Sequence, residues 1–438
     1  MKTDSSPTPP IPAPVAIPPI HGNTPASSKP GGFALRGLLI VLLALGNSTP
    51  AHAAGQGITP KRILLGGVMD LKGRSKGLGL GMSSGIQAAL EGQKIGPRQI
   101  QYEVRNDSYN PKKTIEATRR LIERGVFLFA GNVGTPTAKV SLPILKKQGI
   151  PAVGFFTGAG LLRTPEATNV INYRASYSQE IAAVIDSALK HGLQADEICA
   201  YVQNDAYGMA GIQGLIDALR QREDSAGIVA KLEALRKLPG DNPPRNGIGP
   251  VGVYQRNTYL ARPGYESLKQ WEKANDTQCR LVVTVGSYTS VAKFIGYARY
   301  KHENWLFSAV SFTGAENFRS ALKEMNTENR VIMTQVVPHL DSKLEIVQQA
   351  RKALGEHFNS VSLEGYIVGK LILHGLRNID GEPTRRAFLD ALLGKSFQLG
   401  GLKMDFTDDN QGSDLVTLTL LKNGEWRPMR ERDWAAIR

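Results

Sequence analysis

VFLFAGNVGTPTAKVSLPILKKQGIPAVGFF, residues 126–156, sets two short apolar runs on either side of one helical segment. Val126 to Ala130 and Pro151 to Phe156 are apolar without alternation, the pattern of strands buried on both faces of a parallel sheet. Between them, Pro136 to Gln148 predicts a helix with Pro in its first turn, where the missing N–H costs nothing. A strand, a helix and a second strand within about thirty residues form a parallel crossover unit.

Working outward, the same alternation continues on both sides. Upstream lie a strand over Arg62 to Met69, a helix over Ser83 to Gln93, a strand over Ile100 to Val104 and a helix over Pro111 to Arg124. Together these make one doubly wound unit. Downstream the pattern starts over, with helices at Ser178 to His191, Tyr207 to Arg222, Tyr265 to Asn275 and Ser290 to Tyr300. They alternate with strands at Ile198 to Val202, Val251 to Tyr254, Leu281 to Val285 and Trp305 to Phe307. Residues 231–250, with Pro239, Pro243 and Pro244, read as a surface loop. Near the end come helices over Leu363 to Leu376 and Arg385 to Leu393, then hairpin runs at Leu402 to Phe406 and Leu415 to Leu421 with an Asn423-Gly424 turn. The fold class is therefore α/β, two doubly wound, Rossmann-like lobes joined by a hinge of several crossings. A length of 438 residues suits two cores.

Residues 1–32 are crowded with Pro, Ser, Thr and Gly and cannot bury a core. Arg36 then precedes the apolar run Gly37 to Leu45 and the small-residue site Ala51-His52-Ala53, the order of a secretory signal peptide cleaved near Ala53. The run is shorter than the roughly 20 residues of a membrane span. Residues 1–53 are thus a Pro-rich leader plus signal peptide, and the expected location is the periplasm. The net charge is +14 and falls to +12 when Lys2, Lys29, Arg36 and Asp4 leave with the leader. Its Lys and Arg are spread rather than clustered, which argues against a nucleic-acid partner. Cys199 and Cys279 each open a strand-like run; one disulfide and two buried thiols are both open readings.

In parallel sheets ligands bind beyond the carboxyl ends of the strands, at loops that lead into helices. Three such loops in the first unit carry Asp70, Gly134 with Thr135, and Thr157-Gly158-Ala159. Glycine permits close backbone approach and the threonines donate hydroxyl bonds, which suits a small anionic group. In the second unit the matching loops carry Asp205 and Tyr207, Tyr288, and Ser311. The tyrosines offer flat faces with a polar tip, and Asp205 doubles as a helix N-cap candidate. Gly77-Leu78-Gly79-Leu80-Gly81 echoes a dinucleotide fingerprint, but the third Gly is misplaced. No nucleophile elbow, zinc motif or phosphate loop is present, so neither catalysis nor a cofactor is expected.

The phrases ILLGGVMDLKG, AGNVGTPTAKVSLPILKKQGIPAVGFF, YVQNDAYGMAG, VVTVGSYTSVAKFI and VIMTQVVP, then EGYIVGKLI, resemble the type I periplasmic binding proteins of branched-chain amino-acid ABC transporters. The resemblance implies a first lobe of 58–176 plus 335–400 and a second of 177–334 plus 401–438. It also implies a monomer that closes on a small-molecule ligand and delivers it to an ABC permease in the inner membrane; a sensory receptor is the alternative. It places a ligand carboxylate on Gly134-Thr135 and Thr157-Gly158-Ala159, and aromatic contacts at Tyr207 and Tyr288. The chain departs from the family at the acidic residue that holds an amino group. There it reads Ser308-Ala309-Val310-Ser311-Phe312, with Glu316 too distant, which leaves Asp70 or Asp205 to supply the charge. The expected ligand is an amino acid, an amide or a small carboxylate.

Overall fold

The computed structural model describes residues 57–240 and 242–437; the Pro-rich leader, the apolar run and the expected cleavage near Ala53 lie outside the described residues. The first part of the chain runs β1 (Ile58–Thr59), β2 (Arg62–Met69), α1 (Lys76–Leu90), β3 (Lys94–Ile95), β4 (Arg98–Asn106), α2 (Pro111–Glu123), β5 (Phe129–Ala130), α3 (Thr135–Lys147), β6 (Ala152–Val153) and β7 (Val170–Ile171). The second runs α4 (Tyr177–Lys190), β8 (Ile198–Gln203), α5 (Ala206–Leu219), α6 (Ala226–Lys237), β9 (Val251–Tyr254), α7 (Arg262–Asn275), β10 (Leu281–Val285), α8 (Tyr288–Tyr300), β11 (Leu306–Ala309), α9 (Ala315–Lys323) and β12 (Val331–Gln335). Last come α10 (Glu345–Leu354), α11 (Ser360–Arg377), α12 (Arg385–Asp390), β13 (Ser396–Leu399), β14 (Leu402–Asp405), β15 (Thr417–Lys422), β16 (Glu425–Pro428) and α13 (Glu431–Ile437).

One sheet has the order β3-β4-β2-β5-β6-β7, with β1 antiparallel beside β2; the other has the order β16-β15-β12-β11-β10-β8-β9. Parallel pairing from β4 to β7 and from β12 to β9 gives the two doubly wound lobes. After β12 the chain returns to the first lobe, where α11 lies along α1, and β15 then comes back antiparallel to β12. The chain therefore crosses between lobes after β7, after β12 and after β14. These crossings are tied together. The Asn172 N–H donates to the Asn410 carbonyl at 2.8 Å, Gly412 N–H to Asn172 at 2.9 Å, and the Tyr173 hydroxyl to the Val336 carbonyl at 2.9 Å.

Several elements differ from the sequence expectation. Helix α1 begins seven residues before Ser83, so the Gly77 to Gly81 stretch is helix rather than loop. A Cβ on Gly79 would lie 2.1 Å from the Asp70 carbonyl, and one on Gly85 would lie 2.1 Å from the Ser362 carbonyl of α11. Close packing, not a phosphate, requires those glycines. The loop expected over 231–250 starts later, because Ile228, Leu232 and Leu235 form one buried face of α6. Leu402 to Asp405 pairs with Ser396–Leu399, not with the run after it. That hairpin straddles the lobe boundary expected at 400/401. The Asn423-Gly424 turn does join β15 to β16, with both residues at positive φ.

Cys199 in β8 and Cys279 just before β10 form a disulfide, with their Cα atoms 5.6 Å apart. Among the described residues no helix is long and apolar enough to cross a membrane.

Candidate functional site

The loops at the carboxyl ends of both sheets meet at the hinge. From the first lobe, Gly134 at φ 106° caps α3, and the Thr135 and Thr157 hydroxyls share a hydrogen bond of 2.7 Å. The Ala159 N–H donates to Thr157 Oγ1 at 3.3 Å. Gly158 accepts at its carbonyl from Tyr177 N–H at 2.8 Å, and its missing side chain leaves room for the Tyr177 ring. From the second lobe, Tyr207 is fully buried, 5.4 Å from Tyr177 and 4.6 Å from Phe312, ring centre to ring centre. Phe312 in turn contacts Phe156 at 5.3 Å and Tyr109 at 6.4 Å. Rings from the two lobes thus meet directly.

Beneath this aromatic layer lies an ionic cluster. Arg174, on the first crossing, is 1% exposed, with its guanidinium 4.7 Å from the Phe156 ring centre. It donates to Ser311 Oγ and stands 3.7 Å from both Glu180 and Glu364. Glu180 accepts from Ser311 N–H at 2.7 Å, from Ser311 Oγ at 3.0 Å and from the Thr334 hydroxyl. Burial alone would lower the Arg174 pKa, but Glu364 and Glu180 hold it above its ordinary value. Burial pushes the Glu364 carboxyl up to about 7, against the pull of Arg174.

The two acids expected to stand in for the missing anchor have other work. Asp70 accepts from Lys72, Gly73 and Ser75 N–H at 3.2, 2.5 and 2.9 Å, closing the turn before α1. Asp205 caps α5 by accepting from Tyr207 N–H at 3.0 Å, and its other oxygen accepts from Gln203 at 2.8 Å and Arg256 at 2.7 Å. Tyr288 sits apart from the aromatic layer, where its hydroxyl accepts from Gly77 N–H at 3.4 Å across the lobes. Thr135, Thr157, Gly158, Ala159, Tyr207 and Ser311 therefore gather at one place, with Asp205 at its margin through Gln203, which donates to Tyr109 at 3.3 Å. A polar groove of about 650 Å³ lies elsewhere, beside the disulfide, and its Lys269 and Arg280 pair with Glu303 and Glu197.

A family profile described as periplasmic binding protein matches residues 62–228. A solved structure described as a possible leucine/isoleucine/valine-binding protein from Rhodopirellula baltica SH 1 is 31% identical, with 86% of this chain and 98% of that one covered and a TM-score of 0.76. The chain belongs to the periplasmic binding protein family. No curated protein matches it. Other periplasmic binding proteins share the fold at lower identity. A branched-chain amino-acid ABC transporter protein from Thermus thermophilus with bound valine is 15% identical, covers 85% and 96% of the two chains and has a TM-score of 0.69. A fatty acid ABC transporter substrate-binding protein from Thermomonospora curvata is 15% identical, covers 86% and 93% and has a TM-score of 0.68.

For this periplasmic binding protein, sequence reasoning missed Tyr109, Phe156, Arg174, Tyr177, Glu180, Phe312 and Glu364. Three of them left a legible mark. Arg174 sits in the short crossing after the apolar pair Val170-Ile171, Glu180 follows six residues on, and Glu364 is the second residue of the apolar run Leu363 to Leu376.

Proposed function

We propose that this protein is the substrate-binding component of an ABC importer. It captures a small polar ligand, whether amino acid, amide or small carboxylate, between two lobes and delivers it to a permease in the inner membrane. Binding energy selects the closed form and no bond is made or broken. Export through the leader, with cleavage near Ala53, brings it to the periplasm. The moving bodies are residues 58–176 with 335–405 and 177–334 with 406–438, the expected boundary at 400/401 being moved past the β13–β14 hairpin so that its paired strands travel together.

The observation that carries this reading is the convergence of Thr135, Thr157 and Gly158 on Tyr177, Tyr207 and Phe312, at the place where the chain crosses between lobes. Membership in the family supports it, as does the bound valine of the T. thermophilus relative. Small-angle scattering tests it: the radius of gyration falls and the melting temperature rises with the ligand, which mass spectrometry identifies after release from denatured protein. A library of amino acids, amides and carboxylates that produces neither compaction nor stabilisation would remove the reading.

A further inference from the structure

The hinge site has an imbalance of donors and acceptors. Arg174 Nη1 and Nε, both buried, make no hydrogen bond, and neither does the buried Tyr177 hydroxyl. That hydroxyl lies beside the Thr157 hydroxyl and the Gly158 amide without reaching hydrogen-bonding geometry. Thr135 and Thr157 share a single bond, so one of their two hydroxyl protons remains unengaged by the pair. On the acceptor side little is free. Asp70, Asp205 and Glu180 each accept three or more hydrogen bonds from the protein itself. Glu364 stands 3.7 Å from Arg174, so an ammonium beside it would also lie against the guanidinium. A buried donor without a partner is costly, and a guanidinium finds its best partner in a carboxylate.

We propose that the ligand is a monocarboxylate with an apolar body and no α-ammonium, its carboxylate held by Arg174 and the Tyr177 hydroxyl next to Thr135 and Thr157. This rests on the binding-protein reading and narrows it. Opening the hinge parts the rings of Tyr109, Phe156, Tyr177, Tyr207 and Phe312, and those faces then take the apolar body. Phe156 backs the guanidinium and shields it from water, which strengthens the pair formed with the ligand.

Two isosteric trios test the inference by calorimetry: isocaproate, leucine and isocaproamide, then hydrocinnamate, phenylalanine and hydrocinnamamide. The acid of at least one trio binds about tenfold or more tighter than its amino acid, and on the order of a hundredfold tighter than its amide. Tyr177→Phe keeps the ring and lowers acid affinity about tenfold at an unchanged melting temperature. Arg174→Gln abolishes acid binding; should that variant fail to fold, Tyr177→Phe decides alone. Equal binding of acid and amide, tighter binding of leucine or phenylalanine, or unaltered acid binding by Tyr177→Phe each overturn the inference. Leucine or amide binding with compaction would do so while leaving the binding-protein reading intact. Silence from all six probes overturns the inference, and the wider library then judges the broader reading.

Discussion

Glu364 shows how a single residue can couple folding to pH. Its carboxyl, lifted by burial to about 7, binds a proton in the folded state that the unfolded chain releases near 4.5. A raised carboxyl favours the folded state fully below the unfolded value, and that contribution is lost as pH rises through about 7. Melting curves of the wild type and Glu364→Gln therefore diverge between these limits, the wild type losing stability relative to the variant as pH increases. A constant difference from pH 4 to pH 8, roughly the window of the shift, would contradict it. Tyr207 follows from packing: with its ring fully buried among Tyr177 and Phe312, Tyr207→Ala costs about 3–5 kcal/mol as well as ligand affinity. Chemical denaturation measures the first effect and calorimetry the second. At this scale the sequence was partly legible. Thr135, Thr157 and Gly158 announced themselves because loops after parallel strands face the cleft whatever the cargo. Tyr177 and Phe312 did not, since an aromatic beside a helix start reads as core until its neighbours across the hinge are known.

Elements were legible where periodicity is local and obscure where a distant partner decides. Strands β2 and β10 fall where their apolar runs predict, residue for residue. The start of α1 was hidden because three glycines in five residues argue against a helix, and contacts made only in the fold explain them: Gly77 meets Asn317 of α9, Gly79 the Asp70 carbonyl, and Gly81 Val361 of α11, nearly three hundred positions later. Gly85→Val tests that packing. Its added carbons would press on the Ser362 carbonyl, forcing the helices apart at a cost of about 2–3 kcal/mol, read by urea denaturation. A variant as stable as the parent would mean that the helices are not in close contact. Strand β13 went unseen for a similar reason: Ser396–Leu399 is short, and pairing with β14 is what makes it a strand.

For the whole molecule, the disulfide and the hinge set opposite limits. The bridge spans a sequence separation of 80 and ties β8 to the loop before β10, within one lobe. Replacing both cysteines by alanine should lower stability by about 2–5 kcal/mol while ligand-induced compaction persists. Loss of compaction would instead make the bridge part of the moving joint. The three crossings carry a different consequence, one that concerns how the chain comes into being. Neither lobe is continuous: α1 needs α11 as its neighbour, and the second sheet needs β15 and β16 from the final residues. A chain made and threaded from its N-terminus cannot finish either core until almost its full length has emerged. Folding of both lobes is thus tied to completion of the chain.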